Sequence, residues 1–276
     1  MSKSILNGGR LLTSIARDTF GSVGTLTISR PGKLNCLDSR LLSDIPKALM
    51  DISADKRVIG IILTGAGDQA FISGADLVEM GRLDGPAAAR QFITTVHAAC
   101  KAVRDCPVPV IARINGVAFG AGLELAAACD VRIASQRSVF GMPEVRMGLP
   151  SVVEAALLPN LIGWGRTRRL LLFGETINAS EAYQWGMIER PVKDELLDKT
   201  IDDLLKSLGK CGRLAVRDQK ALINQWEHSP NLSSAIDAGI EAFARAYESP
   251  ESNEIDPEPR RMIQDFLNRK KGRENL

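Results

Sequence analysis

The sequence predicts an α/β fold, and two observations carry that prediction. Short apolar runs with the marks of buried strands alternate with helical periods through the first 140 residues. From about residue 150 onward strand signals nearly vanish, which calls for a helical C-terminal part. The chain has 276 residues, enough for one large domain or two small ones at ~150 residues each, and either can bury a full core.

Each element has its own warrant. Residues 23–30 alternate like a strand and stop at Pro31-Gly32. Residues 37–52 have helical period, with Asp38 or Ser39 as cap and Pro46 as a kink risk. Residues 58–63 form a continuous apolar run ending in Gly65-Ala66-Gly67, which suits a buried strand. A helix is expected over 91–103 and a short strand over 108–113. A glycine-punctuated turn (Gly116, Gly120, Gly122) then leads into a helix over 123–129 and a strand over 131–134. Ser151 and Glu154 have the spacing of a capping box opening the next helix. Further helical periods cover 180–185, 195–208, 214–226 and 232–247. Residues 248–258 carry five acids, no base and two prolines, a linker-like break. Residues 260–276 then hold six bases against two acids. The expected division is an α/β core over 1–200 and a helical region over 201–276, without internal repeats.

Composition narrows the function classes. With 35 basic and 33 acidic side chains the net charge is +2, too small for a domain-wide nucleic-acid footprint. Aromatic residues make up only 5%, so stacking platforms for single strands are poorly supplied. No stretch reaches the ~18 uncharged apolar residues of a membrane span. Five cysteines without a CxxC pair fit neither a zinc ribbon nor an extracellular disulfide framework. A cytoplasmic protein is expected, with no metal site.

The most informative residue is Glu124. Its helical neighbours Ala121, Ala127 and Ala128 are small and apolar, so the carboxyl sits on a crowded face where desolvation raises its pKa. Such a group serves as general acid or base near neutral pH; the plainer alternative is an exposed Glu on a half-buried helix. The glycines before it leave main-chain N–H groups at the helix N-terminus facing open space, where the helix dipole favours an anion. Ala121 lies one turn before Glu124, so its N–H and the carboxylate could share one cavity. The loop 71–77 could supply a second N–H, and Glu144 follows a Gly-x-Pro turn, where a helix-start charge is the simpler account. Gly65-Ala-Gly67-Asp-Gln-Ala70 resembles a dinucleotide fingerprint, but Gly74 interrupts the helix that should follow. His97 lies in a helical segment and reads as structural, and Arg166, Arg168 and Arg169 read as a solvated helix face.

With these motifs in order, the sequence resembles the crotonase superfamily, the enoyl-CoA hydratase and isomerase family. The resemblance runs from about residue 20 to the C-terminus. It rests on Arg30-Pro-Gly-Lys-Leu-Asn35-Cys-Leu37, Ile61-Ile-Leu-Thr-Gly-Ala-Gly67, Ala70-Phe-Ile-Ser-Gly-Ala-Asp76, Pro109-Val-Ile-Ala-Arg-Ile-Asn-Gly116, Gly120-Ala-Gly-Leu-Glu-Leu125, Cys129-Asp130 and Phe140-Gly-Met-Pro-Glu144. It implies a crotonase-like spiral of ββα units with a helical C-terminal trimerisation region, assembled as a homotrimer or homohexamer. It implies an acyl-CoA thioester substrate and no cofactor beyond the coenzyme A of that thioester. The thioester oxygen would be held by the N–H groups of Ala75 and Ala121. Lys33, Leu34, Leu37, Asp76, Leu77 and Val78 would contact the adenine and pantetheine, with Phe266 and Arg269 bordering the CoA end. By the same resemblance Glu124 activates water for attack at C3 and Glu144 exchanges the proton at C2.

Having both glutamates favours hydration over isomerisation, because family members that only shift double bonds often lose the first. Retro-aldol cleavage in the same oxyanion hole and a non-catalytic CoA-binding scaffold are the alternatives. Two departures stand out. The usual triple-glycine turn is Gly120-Ala121-Gly122, and the glycine-rich stretch after the second glutamate is replaced by Leu149-Pro-Ser-Val-Val-Glu-Ala-Ala, one residue shorter. Val152 and Val153 would reshape the acyl pocket there. Glu154 could enter it as a third carboxylate, although the capping box with Ser151 is the preferred reading.

Overall fold

The structure, a computed structural model, describes residues 2–6, 10–248 and 256–274; most of the acidic break, 249–255, lies outside them. The described chain forms two compact units, residues 1–206 and 207–276.

The first unit opens with an antiparallel ribbon of β1 (Ser2–Leu6), β2 (Leu11–Asp18) and β3 (Gly21–Ile28). Then α1 (Ser39–Ala54) crosses over to β4 (Val58–Gly65), which pairs parallel with β3. Asp38 caps α1 by accepting the Leu41 N–H at 3.0 Å. Leu41, Leu42, Ile45, Ala48, Leu49 and Ile52 form its buried stripe, each Leu or Ile contributing ~1.5–3 kcal/mol of burial. The helix runs on through Pro46 without a break.

A two-strand step then repeats. β4 is followed by β5 (Ala70–Ile72), α2 (Leu77–Met80) and α3 (Gly85–Asp105). β6 (Val110–Ile114) is followed by β7 (Val117–Phe119) and α4 (Ala121–Ala128). β8 (Val131–Ser135) is followed by β9 (Val139–Gly141), two 3₁₀ turns (Pro143–Met147 and Val153–Leu157) and α5 (Leu158–Phe173). The first strand of each step joins one sheet and the second strand another, so the chain winds as successive ββα units. β10 (Thr176–Asn178), α6 (Ala179–Trp185), β11 (Arg190–Val192) and α7 (Leu197–Leu208) follow. The larger sheet has the order β1-β2-β3-β4-β6-β8-β11 and the smaller β10-β9-β7-β5. One main core joins both sheets to α1, α3, α4, α5 and α6, and in it Phe71, Phe140, Ile61 and Leu63 are fully buried.

Two sequence expectations change. Ser151 and Glu154 do not form a capping box: Val152 is the residue before the 3₁₀ turn, and no side chain caps that turn. The capping box in this region belongs to Asn178 and Glu181, at the start of α6. After Gly65-Ala66-Gly67 the chain enters β5 rather than a helix, so the dinucleotide geometry does not arise.

The second unit contains α8 (Arg213–Glu227), α9 (Leu232–Arg245) and α10 (Glu258–Glu274). Leu222, Ala238 and Ala242 are buried between α8 and α9. Glu258 accepts the N–H groups of Leu214 (3.2 Å) and Ala215 (2.9 Å), placing a carboxylate on the positive end of α8. Ile236, Ile240 and Phe243 of α9 are exposed. No helix among the described residues is long and apolar enough to cross a membrane.

Candidate active site

One cavity of about 650 Å³ in the first unit gathers Ala75, Ala121, Glu124 and Glu144, with Phe92, Val96, Met147 and Val152 among its apolar walls. It is built where the loop after β5, the start of α4 and the turn after β9 converge.

The loop after β5 is held by main-chain pairing. The Leu37 N–H donates to Gly74 O (2.8 Å) and the Asp76 N–H to Leu37 O (2.7 Å), a single parallel bridge. Alternate amides of an extended segment face opposite ways, so the Ala75 N–H points away from Leu37, and Ala75 lines the cavity. Ala121 is the first residue of α4, where an N–H has no acceptor within the helix. Gly120 takes φ +50, and a β-carbon there would run into Glu144 Oε1 and lie 4.0 Å from Gly74 Cα. Gly122 lets α4 lie against β5, since a β-carbon would collide with Ile72 O. These glycines bring two peptide donors and a carboxylate to one place.

All eight residues of α4 are buried, and Glu124 is its only charged one, at 5% exposure. Burial pushes its pKa up to about 8. The Ala155 N–H, donating to Oε1 at 3.1 Å, pulls the other way, while the charges of Glu144 and Glu154 push it higher. An exposed helix-face role for Glu124 is therefore excluded. Glu144 sits in the first turn of the 3₁₀ segment Pro143–Met147, and Ser151 Oγ donates to its Oε2 at 2.8 Å. So Ser151, read in the sequence as a helix cap, orients a pocket carboxyl instead.

Glu154 is corrected as well. It is buried at 4% exposure and its Oε1 lies 2.8 Å from His97 Nδ1 on α3, so it neither caps a helix nor lines the cavity. The turn carrying it begins at Val153, whose φ of 42 is a left-handed conformation costing a β-branched residue ~1–3 kcal/mol. Beneath, burial pushes the Cys100 thiol well above its ordinary range, and the charges of Glu154 and Glu124 add to that.

The other residues singled out in the sequence divide. Leu77 lines the cavity and is exposed, as is Val78 outside it. Leu34 is exposed, with φ 48, and Lys33 reaches Asp76 at 3.5 Å. Leu37 is fully buried in the core, so its side chain supports the loop and presents nothing to a ligand. Asp76 is committed to structure too: it caps α2 through the Val78 N–H and pairs with Arg30 at 3.0 Å. Burial acts to raise its pKa, but Arg30, the Val78 and Glu79 amides and Lys33 bring it down to about 2. Phe266 and Arg269 lie on α10 in the second unit, both exposed. Arg166 and Arg169 stack over Trp185 and Arg168 over Trp164, each at 5.4–5.7 Å, which accounts for that cluster. No group of three or more metal-ligating side chains occurs among the described residues.

Mixed sheets wound by ββα units, with the Ala75 and Ala121 peptides, the buried Glu124 and the half-buried Glu144 around one mainly apolar cavity, define a class of α/β protein that can polarise a carbonyl and move a proton beside it. A family model described as enoyl-CoA hydratase/isomerase matches residues 18–271, and the chain belongs to that family. It is 31% identical to the short-chain-enoyl-CoA hydratase of Clostridium acetobutylicum, over 94% of this chain and 99% of that one. To the crotonyl-CoA hydratase of Syntrophomonas wolfei it is 33% identical, over 84% of this chain and 89% of that one. The crystal structure of an enoyl-CoA hydratase from Mycobacterium smegmatis superposes with a TM-score of 0.84 at 27% identity, covering 93% of this chain and 96% of that one.

Proposed function

We propose that the protein is an enoyl-CoA hydratase, adding water reversibly and syn across the double bond of a 2-enoyl-CoA to give a 3-hydroxyacyl-CoA. The observation that carries this is the pairing of Glu124 and Glu144 in the cavity that also holds the Ala75 and Ala121 amides. The names of the Clostridium and Syntrophomonas relatives support it.

The chemistry follows from the placement. Attack of water at C3 pushes electrons onto the thioester oxygen, and charge grows where the two amides converge. Glu124 takes a proton from water as hydroxide adds to C3, and Glu144 gives a proton to C2. The pair starts and ends with one proton between them, so neither metal nor redox chemistry enters. A base with its pKa near 8 is strong when ionised, and that state grows with pH. That ionisation also takes the last proton from the pair and leaves none for C2, so kcat/KM falls as pH rises through about 8; a rise there would put the working proton on another group.

Mass spectrometry with a panel of 2-enoyl-CoA thioesters tests the reading. The expected product has gained one water. An isobaric shift would mean isomerisation, and fragments would mean cleavage. Glu124→Gln and Glu144→Gln should each lower turnover by ~10²–10⁴-fold while thioester binding persists. Five free cysteines go with a reducing compartment, which we take to be the cytoplasm. A homotrimer or homohexamer is the proposed assembly, with Trp164, Leu172 and Phe173 of one unit and Ile240 and Phe243 of the other as exposed apolar surface available to neighbours.

A further inference from the structure

The turn Val153–Leu157 places two unlike groups on adjacent residues: the buried carboxylate of Glu154 and the Ala155 N–H that binds Glu124 Oε1 at 3.1 Å. The proposed reaction uses neither Glu154 nor His97. Yet Glu154 Oε1 lies 2.8 Å from His97 Nδ1, and its buried Oε2 has no hydrogen-bond partner among the described residues. His97 sits on α3 with its side chain half exposed, so one end of this pair meets solvent and the other lies beside the active carboxyl. Val153 keeps its left-handed φ only if something anchors the turn that follows, and the His97 contact is such an anchor.

We propose that Glu154, held by His97, is a positioning residue for Glu124: it fixes the turn whose amide orients that carboxyl and keeps a second buried carboxyl beside it. The elements packed on this turn are α3, α4 and α5. From α3 the facing titratable groups are His97 and Cys100, and from α4 Glu124 itself. Glu144, from the turn after β9, lines the same cavity as Glu124, and Cys129 stands by Cys100. The arginines of α5 are turned onto Trp185 and Trp164. Glu154 and Glu144 are thus the two negative charges acting on Glu124; Glu154 is buried and reaches solvent through His97, while Glu144 is itself half-buried.

The inference rests on Glu124 being the working carboxyl, so its test needs a readout independent of turnover. Infrared difference spectroscopy of the full chain follows the Glu124 carboxyl band with pH, assigned by its loss in Glu124→Gln. Glu154→Gln keeps the shape of the side chain and removes its charge, so the Glu124 titration should move to lower pH by about one unit. His97→Ala should move it the same way, because Glu154 loses the partner that holds it and its turn against Glu124. His97→Gln keeps a donor for Glu154 and should restore the original titration. Unmoved titration in both Glu154→Gln and His97→Ala overturns the proposal, as does failure of His97→Gln to rescue. Should Glu154→Gln fold poorly, the two His97 variants, altered at a half-exposed position, decide alone. A moved titration with no hydratase turnover in the wild-type chain would sink the function and leave this positioning role standing. Turnover with an unmoved titration would do the reverse.

Discussion

Glu124 keeps its proton to about pH 8 because α4 offers it an apolar bed and one amide, too little to solvate a charge. That has a cost which depends on pH. Between the ordinary carboxyl value of 4.5 and about 8 the folded chain holds a proton that the unfolded chain has released, so stability falls as pH rises through this window and levels off above it. Glu124→Gln removes the ionisation while keeping the shape and an acceptor for the Ala155 N–H. The variant should match the wild type near pH 4.5 and exceed it at pH 8 by on the order of a few kcal/mol. Urea unfolding at the two pH values measures this, and a constant difference would place the proton elsewhere. Glu124 itself was legible in the sequence, because its alanine neighbours on the helix announce burial. Its partners were not. Ser151 stands seven residues from Glu144, and His97 fifty-seven from Glu154; those contacts exist only because separate turns meet in space.

The long elements were readable for a similar reason. The periods of α1, α3 and α8 extend over several turns, and β4 is a run of apolar side chains buried on both faces. β5, β7 and β9 have three residues each, too few for a period of two to show, although they form the sheet on which the cavity rests. β2 carries Thr13, Ser14 and Arg17 among its apolar residues and hides its strand character in mixed composition. The Ser151–Glu154 spacing misled because a cap needs helical geometry after it, and Val153 departs from that at once. The glycines before α4 act at this scale. Gly120→Ala would drive a methyl group against Glu144 Oε1 and require an L residue at φ +50. Turnover should fall by roughly 10²-fold, the effect of displacing a reacting group by about an ångström, while the chain remains folded. Steady-state kinetics beside circular dichroism checks both halves; unchanged kcat would detach Glu144 from the reaction.

For the whole molecule, the net charge of +2 averages over unlike parts. Five acids in 248–258 precede a tail with six bases, whose side chains are candidates for the phosphates of coenzyme A. Truncation after Pro259 should weaken CoA binding most at low salt; binding unchanged across salt would remove the tail from that role. Light scattering should return three or six times the chain mass of 29.9 kDa, and a monomer would contradict the proposed assembly. The cavity itself is lined wholly by residues of the first unit. Its two proposed oxyanion donors are peptide groups, so no codon specifies them. Among substitutions only proline removes the donor itself; every other change must act by bending the chain that presents it. Inactivating alleles should therefore gather at Gly120 and Gly122, where any added carbon meets protein, more than at Ala75 and Ala121. Ala121→Pro, at a first helical position that proline tolerates, deletes one donor with the chain in place, as does an ester in place of that amide.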